Sequence, residues 1–240
     1  MQNCKPFVAP IIKEDKFSKD QSPQNALEQE QMKDILYAST IGSLMYAQVY
    51  TRPDICLAIG ILGRFQRNPD VLHWVAAKKV MRYLQGTKNY RLTFRHTDML
   101  DVVGYSDSDF AGCVDSRKST SGYILLLAGG TISWRSTKQT IIATSTMEAE
   151  FIACYETTTH ALCLKNFISG LKVVNSIERP IRIDCENSAT VFFSKNNKNG
   201  NRSKHIDIKY LSMRENIKSS MVSIHHTTAD LMIADSMTKG

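Results

Sequence analysis

Apolar and polar positions alternate in two different ways along the chain. Between residues 31 and 86 the apolar residues recur at helical spacing. "MKDILYASTIGSLMYAQVY" mixes apolar and small residues, which suits a packed helix. "TRPDICLAIGILGRFQRN" starts a second helix near Pro53, with Ile55, Ile59, Leu62 and Phe65 on one stripe. "NPDVLHWVAAKKVMRYLQGT" starts a third. There Asn68 suits the cap, Pro69 the first turn and Gly86 the stop, and Trp74, Ala77, Met81 and Leu84 make the inward face. "YRLTFR" reads as a short strand.

From residue 99 the period changes. Strands "VVGYSD", "SGYILLLAG" and "TISWRS" come first, then one long helix from "STMEAEF" to "ISGL". Strand "IRIDCE", helix "NSATVFFSK", a polar loop, helix "IDIKYLSMRENIKSS", strand "MVSIHH" and a last helix "ADLMIADSMTK" follow. Hairpin strands followed by alternating units predict an α/β (α+β) fold, a five-stranded mixed sheet flanked by helices. The polar start, with Pro6, Pro10 and Pro23, predicts a poorly ordered linker. The expected division is a linker over 1–30, a helical block over 31–98 and a mixed-sheet domain over 99–240.

Composition narrows the function classes. The chain has 240 residues, 42% of them hydrophobic, enough for one large core or two small ones. No run of eighteen apolar residues occurs, so a membrane span is not expected. The start lacks the apolar segment of a secretory signal. The six cysteines form no C-x-x-C pair and no zinc spacing, which predicts reduced thiols and an intracellular protein. A net charge of +7 suits a polyanionic partner.

Several carboxylates stand where apolar patterns end. Asp107 closes the strand "VVGYSD" on the face of Val103 and Tyr105; alone it is an ordinary turn former. Glu148 completes a capping box with Ser145, a sufficient structural reason for it. It also begins the stripe Glu148, Ile152, Tyr155, Thr159, Leu162, whereas Glu150 is expected in solvent. Glu186 ends "IRIDCE" on the face of Arg182 and Asp184, and Asp235 lies in the last helix. Clustered carboxylates repel unless cations lie between them, and oxygen-only ligands suit Mg²⁺ or Mn²⁺. A pair of such ions suits phosphodiester hydrolysis.

The motifs "GYSDSDFAGCVDSRKSTSGY", "SWRSTKQ", "STMEAEFIA", "CENSA", "KHIDIKY" and "ADSMTK" resemble the ribonuclease H domain of copia-type retrotransposon Pol polyproteins. The block "STIGSLMYAQ" to "YRLTF" resembles the thumb or connection segment that precedes that domain. The resemblance runs from about residue 37 to the end. It implies a ribonuclease H-like fold and an endonuclease that cuts the RNA strand of RNA–DNA hybrids with two Mg²⁺ or Mn²⁺ ions. It implies Asp107, Glu148, Glu186 and Asp235 as catalytic metal ligands, with Glu186 standing where the family has aspartate. Asp184, a pleat away, is a partial substitute. A non-catalytic hybrid-binding remnant is the alternative.

No Y-x-D-D polymerase motif occurs, so polymerisation is not expected of this chain. The expected partners are an RNA–DNA hybrid and the upstream polymerase region of the same polyprotein, with no membrane. The expected location is the cytoplasm, in virus-like particles, or the nucleus. Lys78, Lys79, Arg82, Lys88, Arg117 and Lys118 are candidates for phosphate contacts. His225 and His226 are candidates for an auxiliary role in product release, and His205 is a family hallmark with a packing or hydrogen-bonding role.

Overall fold

The computed structural model describes residues 4–12, 14–94, 96, 101–172, 179–196 and 204–239, without the side chains of Lys204 and His205. The chain forms two compact units. One is 1–91 with 113–117 and 239–240; the other is 92–112 with 118–238.

The first unit is helical: α1 (Ala26–Met32), α2 (Tyr37–Tyr50), α3 (Cys56–Leu62) and α4 (Val71–Gly86). Short 3-10 turns, Pro53–Ile55 and Gly63–Phe65, flank α3. The stripe Ile55, Ile59, Leu62 and Phe65 is buried throughout. In α4 the cap is Asp70 rather than Asn68: its side chain accepts from Leu72 N at 2.9 Å, and His73 Nδ1 accepts from Asp70 N at 2.9 Å. The buried face is also centred differently from the expected one. His73, Ala76, Ala77, Val80 and Tyr83 are buried, while Trp74, Met81 and Leu84 are only partly covered. Arg52 forks onto Asp54 at 2.9 and 2.6 Å, and Tyr83 donates to the same carboxylate at 2.8 Å. Burial pushes the Tyr83 hydroxyl up to about 12, and its bond to Asp54 adds to that. Within 1–30, the stretch read as a linker, Ile11 is buried and Phe7 and Phe17 pack on this core.

The second unit is a five-stranded sheet of β1 (Val102–Ser108), β2 (Thr120–Leu127), β3 (Gly130–Lys138), β4 (Ile181–Cys185) and β5 (Val222–His226). The order is β3-β2-β1-β4-β5. The first three strands are antiparallel neighbours; β4 and β5 are parallel to β1 and to each other. Helices α5 (Thr146–Gly170), α6 (Ser188–Lys195) and α7 (Lys204–Lys218) complete it. This is the ribonuclease H-like topology that the resemblance implies. Residues 90–94 of "YRLTFR" form no strand; Phe94 lies instead against Gly130, where an added Cβ would meet its ring at 2.6 Å. Position 95 lies outside the described residues.

Helix α5 sits very close to the sheet. A Cβ on Gly104 would meet Ile183 Cδ1 at 2.6 Å, Leu125 Cδ2 at 3.0 Å and Thr157 Cγ2 at 3.3 Å. So glycine in β1 and a small residue in α5 are both required by the approach. The buried face of α5 includes Glu150, Ala153, Cys154, Thr157, Ala161, Lys165 and Ile168. Thr157 and Thr158 are tolerated there because their hydroxyls donate back to Ala153 O and Cys154 O at 2.8 and 2.9 Å. Of the expected stripe from Glu148, Ile152 is fully buried and Tyr155 and Leu162 pack partly buried against the core, while Thr159 is exposed. The last segment is not one helix but two 3-10 turns, Ala229–Leu231 and Ile233–Met237. Met232, Ala234 and Met237 are buried.

Candidate active site

The carboxyl ends of β1 and β4 lie side by side, in parallel register from Val103↔Arg182 to Ser106↔Cys185. One residue further on, each chain carries an acid, Asp107 and Glu186. The 3-10 turn Ile233–Met237 brings Asp235 to them. One carboxylate oxygen from each of Asp107, Glu186 and Asp235 lies within 4.8 Å of the other two. Asp107 is fully buried; Glu186 and Asp235 are half-buried.

Geometry allows a metal here. Opposite oxygens on one Mg²⁺ are separated by about 4.2 Å, twice the usual bond length. The widest separation in the trio exceeds that by at most roughly 0.6 Å, within reach of small side-chain rotations. The donors are all carboxylate oxygens, the set that Mg²⁺ and Mn²⁺ prefer. Glu186 thus reaches the cluster despite its extra methylene. Asp184 does not join it: it is buried on β4 and takes a 3.0 Å bond from Arg182 Nε.

Glu148 is not in the cluster. Its Oε2 accepts from Thr144 N at 2.8 Å and from the Thr144 hydroxyl, while its own N–H is capped by Ser145 Oγ at 3.2 Å. Half of the expected capping box forms: Ser145 caps Glu148 N, while the Glu148 carboxylate reaches one residue further back, to Thr144 rather than to Ser145 N. Glu150, expected in solvent, is buried instead. It accepts from Ser108 N at 3.3 Å, directly after Asp107, and from the Cys185 thiol at 3.9 Å, directly before Glu186. The second glutamate of "EAE", not the first, therefore stands against both strand ends. Desolvation pushes the Cys154 thiol up to about 12, with the Glu150 carboxylate adding to it. Desolvation and the neighbouring Cys154, Glu150 and Asp107 also raise Cys185. Both thiols stay protonated at neutral pH, so Cys185 can donate to Glu150.

The signal that marks Glu150 is the run of small and polar residues on its own face, Ala153, Cys154, Thr157 and Ala161. A search for large apolar residues passes over it.

The basic candidates divide. Lys79 pairs with Asp15 at 2.6 Å, and Arg82 Nε donates to Lys5 O at 2.7 Å, so both hold the N-terminal segment. Lys78 and Lys88 are exposed, Lys78 over the Trp74 ring. Arg117 is exposed in a left-handed turn at φ 52, and Lys118 Nζ donates to Thr140 O. His225 and His226 are exposed at the end of β5, with His225 Nε2 3.1 Å from Ser223 Oγ. The His205 side chain lies outside the described residues.

No family model matches the chain. Over its full length it is 38% identical to the Retrovirus-related Pol polyprotein from transposon TNT 1-94 of Nicotiana tabacum, covering 18% of that protein. It is 34% identical over 203 residues to the Pol polyprotein from transposon RE1 of Arabidopsis thaliana, spanning 85% of this chain and 14% of that one. The chain belongs to the copia-type retrotransposon Pol family. It therefore spans less than a fifth of the Pol polyproteins it matches. It is also 48% identical over 133 residues to the Secreted RxLR effector protein 161 of Plasmopara viticola, 55% of this chain and 94% of that one.

Two solved structures overlay on this Pol-family chain. LC11-RNase H1 from compost gives TM-score 0.43 and 16% identity over 58% of this chain and 93% of that one. A foamy viral protease-reverse transcriptase gives TM-score 0.47 and 12% identity over 85% of this chain and 35% of that one.

Among the described residues no helix is long and apolar enough to cross a membrane. All six cysteines are free thiols.

Proposed function

We propose that the second unit is a divalent-metal-dependent endonuclease that hydrolyses the RNA strand of RNA–DNA hybrids. The observation that carries this reading is the acidic trio Asp107, Glu186 and Asp235, gathered from two strand ends and a C-terminal turn. We assign Glu150, rather than Glu148, as the fourth acid of this site. It lies against the ends of both strands, on the protein side that α5 closes.

In this reading Asp107, Glu186 and Asp235 hold Mg²⁺ or Mn²⁺. When bound, a pair of such ions supplies a nucleophilic water and stabilises the leaving oxygen. The protein supplies placement. Asp107 is locked by the sheet, and the half-buried Glu186 and Asp235 face the solvent side from which a phosphodiester can arrive. Selection of RNA over DNA falls to contacts with the 2′-hydroxyls in the wide minor groove. Exposed Lys78, Lys88 and Arg117 serve as phosphate contacts of the first unit. The upstream polymerase region of a Pol polyprotein is the natural source of the hybrid, and the setting is the reducing interior of a cell, which suits six free thiols.

The test is direct. The full chain is incubated with an end-labelled hybrid and Mg²⁺ or Mn²⁺. Internal cuts confined to the RNA strand, abolished by chelation and by Asp107→Asn, are expected. Cleavage that survives Asp107→Asn rejects the site. Tight hybrid binding without cleavage in any divalent ion identifies a binding remnant instead.

A further inference from the structure

The Asp107 carboxylate is held by a residue that lies 131 positions away. Thr238 Oγ1 donates to Asp107 Oδ2, and both groups are buried. Thr238 is also the residue that closes the turn carrying Asp235, its N–H donating to Asp235 O at 3.0 Å. The hydroxyl lies 3.3 Å from that same carbonyl. It has one proton to give, and the charged carboxylate is the stronger acceptor.

The approach depends on β2. Asp107 pairs across the ladder with Gly122. A Cβ there would meet Met237 Cβ at 2.5 Å and Thr238 Cγ2 at 2.7 Å. The missing side chain is the seat on which the turn lies down beside Asp107.

We propose that Thr238 is a positioning residue: its hydroxyl fixes one oxygen of Asp107 while its backbone anchors Asp235, so that one residue sets the spacing of two acids in the trio. This rests on the trio being the metal site argued above. The hydroxyl engages Oδ2 of the same carboxylate that contributes an oxygen to the trio. Without the hydroxyl the carboxylate loses the bond that ties it to the turn carrying Asp235.

The experiment compares the full chain with Thr238→Val, which keeps the shape and removes the hydroxyl, and with Thr238→Ser, which restores it. Mn²⁺ alone is titrated calorimetrically. The expected result is an affinity about tenfold weaker for Thr238→Val and within about threefold of the parent for Thr238→Ser. Equal affinity in Thr238→Val overturns the proposal while leaving the metal site standing. A parent chain that binds no Mn²⁺ overturns the metal site itself. A second measurement covers that case and the case of a poorly folded variant: a double-mutant cycle on urea unfolding with Thr238→Val and Asp107→Leu. Coupling of about tenfold in the unfolding constant supports the Thr238–Asp107 link, and additive effects reject it.

Discussion

The two glutamates of "EAE" give the sharpest contrast in the molecule. Glu148→Ala removes a carboxylate whose bonds are to Thr144 N, at 2.8 Å, and to the Thr144 hydroxyl. Losing such a capping interaction costs about 1 kcal/mol. In a chain of this size that lowers the melting temperature by about 2–4 °C. Hybrid cleavage below the transition should then be unchanged within about threefold, since the ends of β1 and β4 are untouched.

Glu150→Gln does the opposite. The amide oxygen can still accept from Ser108 N, now at 3.3 Å, so the fold is kept. The lost negative charge beside the trio weakens cation binding, and cleavage should fall by at least about 100-fold. The assay is the initial rate on a labelled hybrid in Mg²⁺, with thermal unfolding run on the same samples. If Glu148→Ala abolishes cleavage while Glu150→Gln retains it, the assignment of the fourth acid is wrong.

Three further outcomes follow from the geometry. Glu186→Asp withdraws the carboxylate by about one C–C bond, ~1.5 Å, against a site tolerance of roughly 0.5 Å; calorimetry should show Mn²⁺ binding weakened about tenfold, and tighter binding would mean that the longer side chain is a handicap. Gly104→Ala places a methyl 2.6 Å from Ile183 Cδ1, between strand and helix; overpacking there should cost about 1–3 kcal/mol in urea unfolding, and no loss would contradict the close approach of α5. His73 is stacked on Phe65 at 4.0 Å, and burial lowers its pKa below 6.5 in spite of Asp70. Below pH 6.5 the unfolded chain therefore binds more protons than the folded one, so stability falls as the pH drops from 6.5 and is level above it. His160 shifts the same way, by burial and by Arg135, so His73→Phe should shallow the slope of urea midpoints between pH 5 and 7 without removing it; an unchanged slope would clear His73.

What the sequence reveals and what it hides can be traced to particular residues. Strands whose alternation or apolar run is strong, "VVGYSD", "SGYILLLAG" and "IRIDCE", are legible because a buried face must repeat every second residue. So is the stripe from Ile55 to Phe65. The facing of α5 is not, because the side turned to the sheet is built from Ala, Thr and Cys rather than Leu or Phe. Large residues announce a buried face; a helix that approaches closely must do without them. Glu150 was hidden for that reason, and Glu148 stood out because a capping box is a local pattern. The final segment resembled one helix by composition, yet its buried residues, 232, 234 and 237, belong to two short 3-10 turns rather than to one continuous helical face. Thr238 gives no local sign at all, since its partner is 131 positions away.

The trio has a consequence for how the protein acquires its chemistry. Its members come from positions 107, 186 and 235, and no short stretch holds even two of them. Pairing of β1 with β4 brings Asp107 beside Glu186, and the third acid joins them only when the turn at 233–237 reaches Gly122. On the proposed reading the site is complete only once that turn has docked, so a chain that ends just before it can keep the pair at the strand ends but lacks the third acid.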